Sequence, residues 1–79
     1  MPRYFFHLSR DGGGLRDEEG LALPDAEAAW YQAVRCAREL IRADVALGTC
    51  WDHQVIEIVD DRGTPVDRVP LAEIVHYAL

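Results

Sequence analysis

The chain has 79 residues, with eight basic against fourteen acidic side chains and a net charge of −6. A chain of this length is a single domain that buries only about 60% of its unfolded surface, so two layers of secondary structure are the limit and a deep substrate cavity would compete with the core. The negative balance repels a polyanion, so nucleic acid is disfavoured as a partner and any phosphate contact has to be local.

Apolar residues make up 49% of the chain, but ten of them are alanines, so the bulky core is smaller than that share implies. All eight basic residues are arginines, Ser9 is the single serine, and asparagine is absent. An all-arginine complement reads either as plain composition or as a set of planar, bidentate contacts that lysine could not make. Cys36 and Cys50 form neither a C-x-x-C pair nor a zinc spacing. Both thiols are expected free, in a reducing, cytoplasmic compartment. Met1-Pro2-Arg3 runs straight into an aromatic segment with no leader pattern, and no run approaches the roughly 20 apolar residues of a membrane span.

Residues 3–9 are aromatic-rich and read as a first strand. Alternation puts Tyr4, Phe6 and Leu8 on one face and Arg3, Phe5 and His7 on the other. Asp11 with Gly12, Gly13 and Gly14 is a turn signal, and Leu15 to Asp17 begins a short return strand. Asp17-Glu18-Glu19-Gly20 reads as an acidic, solvated loop without the spacing of a calcium loop. Leu21-Ala22-Leu23 then brings the chain back to the core.

Pro24-Asp25 starts a helix, with Asp25 as cap and Glu27 near the positive dipole end. Ala26, Ala29, Trp30, Ala33, Ala37, Leu40, Ile41 and Leu47 follow helical spacing in a wedge about 120° wide. Gly48 is placed as a left-handed cap. Trp30, near the centre of the wedge, is expected to anchor the core. Asp44 projects from the same wedge and must be either wet beyond the sheet or specifically paired. A helix running through Leu47 also holds Cys36 and Cys50 too far apart for a disulfide.

Residues 53–59 read as a third strand, Asp60-Asp61-Arg62-Gly63 as a hairpin turn, and 64–69 as its partner. Pro65 argues for an edge position, since proline cannot donate to a ladder. Pro70 suits a first helical position, so residues 71–77 form a short terminal helix. The expected fold is α+β in two layers, with element order β-β-α-β-β-α. It is a four-stranded antiparallel sheet, order 2-1-3-4, with the long helix on one face and a short C-terminal helix.

Pro2-Arg3-Tyr4-Phe5-Phe6-His7, the glycine turn, Asp17-Glu18-Glu19-Gly20, Leu23-Pro24-Asp25 and the alanine-rich helix come in that order. Ile56-Glu57-Ile58-Val59-Asp60-Asp61-Arg62-Gly63 and Val69-Pro70 complete the series. Over nearly its whole length the chain thereby resembles an uncharacterised family of short bacterial proteins, a domain of unknown function. The resemblance implies the domain's limits and carries no catalytic or binding residue with it. Trp30, Tyr31 and Trp51 depart from the family's pattern and mark a surface particular to this chain.

The nucleophile candidates Ser9, Thr49, Thr64, Cys36 and Cys50 stand in no recognisable motif. His7 and His53 approach each other if the first and third strands are neighbours, and a histidine-based site is the enzymatic alternative; His76 lies apart. No cofactor or metal is expected. With Tyr4, Phe6 and Leu8 turned to the helix, Arg3, Phe5 and His7 lie on the open sheet face, joined by Val55, Glu57 and Val59. A face mixing aromatic, aliphatic and arginine side chains suits protein contact, with a partner or with another copy in a homo-oligomer. Tyr31, Arg35, Arg38 and Arg42 recur along one helix stripe, a candidate anion-binding surface. The second reading is nucleic-acid-related: contact through that stripe, or acidic mimicry of nucleic acid by the fourteen carboxylates. The leading reading is a non-enzymatic protein-interaction or regulatory module.

Overall fold

Apolar residues alternate through the strands and recur at helical spacing between Pro24 and Gly48, and these two periods build the two layers. The computed structural model describes residues 1–11, 13–48 and 53–78, and the side chains of all of these except 75–78. The elements are β1 (Arg3–Arg10), β2 (Gly13–Leu15), β3 (Leu21–Ala22), α1 (Ala26–Leu47), β4 (Val55–Asp60), β5 (Pro65–Pro70) and α2 (Leu71–Ala78). One antiparallel sheet runs in the order β2-β1-β4-β5, and β3 pairs with β1 as well. The expected order 2-1-3-4 is therefore the one found, with β4 and β5 in the places of the third and fourth strands. The addition is β3, whose two residues sit opposite Arg3 and Tyr4.

In the register of β1 on β4, Phe5 stands opposite Val59, His7 opposite Glu57 and Ser9 opposite Val55. The other set, Tyr4, Leu8, Ile56 and Ile58, points into the helix layer and is buried with Val69. Against it α1 sets Ala29, Ala33, Ala37 and Ile41, all without exposed surface. Alanines at the contact let the helix backbone lie close to the sheet, and Ile41 and Ile58 supply the volume. Burying each of those two side chains contributes about 1.5–3 kcal/mol.

Both ends of α1 are closed as the residues dictate. Asp25 is extended and its carboxylate accepts from the Ala28 N–H at 2.9 Å. Gly48 takes φ 71°, and its N–H reaches back to the Asp44 and Val45 carbonyls. Asp44 is half-buried and accepts a 2.9 Å hydrogen bond from Gln54 Nε2. That side chain ties the end of α1 to the segment before β4.

The hairpin between β4 and β5 turns on Asp60, whose carboxylate accepts from the Arg62 and Thr64 amides, both at 2.9 Å. A register irregularity falls between Ile58 and Val59, and β5 carries Pro65 at the sheet's edge. The chain then enters α2 directly, with the Leu71 N–H donating to the Gln54 carbonyl at 2.9 Å. Leu71 and Ile74 are buried, and α2 packs on α1 and β5. Both helices thus share one face of the sheet.

Two expectations for α1 need correction. Trp30 is not the core anchor: it is 37% exposed. It lies about 100° around the helix from Ala29, on the side turned to α2 rather than to the strands. Leu47, placed in the wedge, is 76% exposed and Ala26 is exposed too, because both ends of α1 overhang the sheet. Cys36 is a half-buried free thiol, and the expectation for its pairing with Cys50 lies outside the described residues. Among the described residues no helix is long and apolar enough to cross a membrane.

Candidate functional site

Among the described residues both helices lie on one sheet face, and neither covers the opposite one. Phe5 and His7 of β1 and Val55, Glu57 and Val59 of β4 are half-buried there, and Arg3 is exposed at the start of β1. The fold brings all six onto one face. Phe5 and His7 stack, with ring centroids 6.4 Å apart and planes 18° from parallel. Two strand positions apart on one face is the natural spacing for such a pair.

The loop before β3 holds this face in shape. Along its outer edge β1 pairs with β2 at residues 8–10 and with β3 at residues 3–4. Between them the Phe6 N–H faces outward, and the Asp17 carboxylate accepts it at 3.1 Å. The other carboxylate oxygen accepts from the Glu19 and Gly20 amides at 3.2 and 3.1 Å. In return the Asp17 N–H donates to His7 Nδ1 at 3.0 Å, which puts the neutral ring's proton on Nε2. Arg3 Nη1 donates to the Glu19 carbonyl at 2.8 Å.

Gly20 closes the clasp at φ 69°, and a Cβ there would meet the Arg3 and Phe5 side chains and the Tyr4 carbonyl at 2.9 Å. Only glycine fits. Burial pushes the Asp17 carboxyl up, but the Gly20, Phe6 and Glu19 amides outweigh it and hold the carboxyl below its ordinary value.

Clasp and strands enclose an open hollow of about 360 Å³ lined by Phe5, His7, Val59, Arg16, Asp17, Glu18, Asp60, Asp61 and Gly63. Its floor is aromatic and aliphatic, and four carboxylates against one guanidinium make its rim acidic. An apolar side chain could seat on Phe5 and Val59 while flanking cations met the rim.

The helix stripe is divided. Tyr31, Arg35 and Arg38 line a second cavity, of about 600 Å³, together with Trp30, Val34, Glu73 and Ile74. Arg42, further along α1, is not part of it. A third, apolar cleft of about 660 Å³ lies between α1 and the β2–β3 edge, with Leu15, Leu21 and Leu40 on its walls. Cys36 lines it, and burial, reinforced by the Glu39 charge, pushes that thiol up.

The histidine pair is not assembled. His7 faces Glu57, whereas His53 contacts Asp11 at 3.5 Å, just past the end of β1 and four residues on from His7, a spacing of about 13 Å at strand rise. Among the described residues no three His, Cys, Asp or Glu side chains converge as metal ligands would.

Residue patterns alone missed two features. The Asp17 segment reads as a solvated turn, yet it clasps β1; its Asx-turn chemistry is a local signal, but its Phe6 and His7 partners are not. The joining of Trp30 to the arginine stripe depends on where α2 docks. No curated protein and no solved structure matches the chain. A family profile, described as a domain of unknown function (DUF6894), matches residues 3–72, and the chain belongs to that family.

Proposed function

We propose that the domain is a non-enzymatic protein-interaction module that works through its open sheet face in a reducing, cytoplasmic setting. The observation that carries this reading is the one-sided placement of α1 and α2, which leaves Phe5, Val55 and Val59 uncovered by either helix. Exposed apolar surface rimmed by polar groups marks contact sites, and Phe and Arg are enriched in them. The acidic rim selects the partner's chemistry: an apolar side chain flanked by lysine or arginine. Electrostatic complementarity of this kind steers encounter and discriminates among partners. A homo-oligomer through the same face would bring acidic rims towards one another, so a basic partner is the better occupant.

The test uses synthetic peptides with one leucine or phenylalanine between basic residues, and matched peptides with acidic flanks. Amide resonances of residues 5–7 and 59–61 should move with the basic peptides alone. The double variant Glu18→Arg, Asp61→Arg should reverse that preference, since neither side chain supports the clasp. Equal response to both peptide classes, or none at this face, would refute the assignment.

A further inference from the structure

The cavity between α1 and α2 has a different chemistry and lies on the other side of the molecule. Trp30 and Tyr31 meet edge to face, with centroids 5.1 Å apart and planes at 77°, so their rings form a corner. Tyr31 is 58% exposed, and among the described residues its ring contact is with Trp30, itself partly open to solvent. Val34 and Ile74 supply an apolar floor. Arg35 and Arg38 stand three residues apart on the same helix, within side-chain reach of a common point. Neither is hydrogen-bonded or ion-paired among the described residues, although the protein carries six more acidic than basic groups.

We propose that this cavity binds a planar ring bearing one carboxylate or phosphate group, with Trp30 and Tyr31 as its walls and Arg35 and Arg38 as its anion clamp. Ring faces stack on aromatic side chains, and guanidinium forks match carboxylate or phosphate oxygens. A volume of about 600 Å³ falls within the range of small-molecule pockets. Glu73 on the α2 side leaves a local balance of two cations to one anion, which suits a single acidic group rather than a polyphosphate. The carboxylate can also accept from a ring N–H or hydroxyl. The net charge of −6 acts over longer range and opposes a nucleic-acid strand far more than a compact ligand.

Trp51→Phe leaves Trp30 as the single tryptophan, so its indole N–H resonance reports the cavity. The probes are adenosine monophosphate and naphthoate, with adenosine and naphthol as neutral counterparts and inorganic phosphate as the bare anion. At least one ring anion should shift the Trp30 resonance saturably, about tenfold or more tightly than its neutral counterpart. A response to adenosine monophosphate identifies phosphate as the acidic group, and one to naphthoate identifies carboxylate. Arg35→Gln with Arg38→Gln should abolish the preference while the circular dichroism melt stays unchanged. The proposal falls if neither ring anion acts up to about 10 mM, if neutral rings or inorganic phosphate bind as tightly, or if the double variant binds like wild type. Binding of a single-stranded oligonucleotide without either small anion would likewise overturn it.

Discussion

Asp17 is tied to β1 through its carboxylate and its own amide, and its carboxylate also accepts from the Glu19 and Gly20 amides. A carboxyl held below its ordinary value in the fold gives up its proton there more readily than in the unfolded chain. Its stabilisation is complete above the unfolded value of about 3.9 and is lost as pH falls through the folded one. Asp17→Asn should therefore cost about 1–3 kcal/mol at neutral pH, since one acceptor oxygen is replaced by a donor facing N–H groups. Thermal melts on a falling pH series should show the variant losing less further stability than wild type below about pH 4. Parallel curves would mean that Asp17 is not the acid-sensitive group. His7 would lose its donor in a backbone rearrangement of this loop, so its resonances give a second reading of the same contact.

At the scale of elements, α1 meets the sheet through a row of alanines with no exposed surface. Close packing has no room for added methyl groups there. Ala33→Leu should destabilise the domain by about 1–3 kcal/mol in urea unfolding. Ala26→Leu, at the exposed start of the same helix, should stay within about 0.5 kcal/mol of wild type. Equal effects would place the sheet contact elsewhere on the helix.

This helix also separates what the residues announce from what they do not. Its limits are readable because Asp25 and Gly48 act on their own neighbours. Trp30 is not, because an apolar wedge about 120° wide says which residues seek cover but not which neighbour provides it. Here α2 takes one flank of the wedge. The open-face set Phe5, His7, Val55, Glu57 and Val59 is legible from period-two alternation alone. The clasp on that face joins residues 6 and 17, and β3 is only two residues long; neither has a periodic signature.

At the scale of the whole molecule, the described residues form a sheet with both helices on one side. Apolar core, alanine contact and both helices lie together, while the face carrying Phe5 and Val59 meets an acidic rim built from the Asp17 loop and the β4–β5 turn. The arginine and aromatic cavity lies in the helix layer, so the two surfaces can be tested independently. The central claim, that the open sheet face makes protein contact, is tested most directly with a photo-crosslinking phenylalanine analogue. It would be placed at Phe5 and, as a control on the helix layer, at Tyr31, in protein produced in its native cell. The account predicts a covalent adduct to a second polypeptide from position 5, with basic residues at the attachment point and no such adduct from position 31. Adducts from position 31 alone, or none from position 5 in a folded protein, would contradict it.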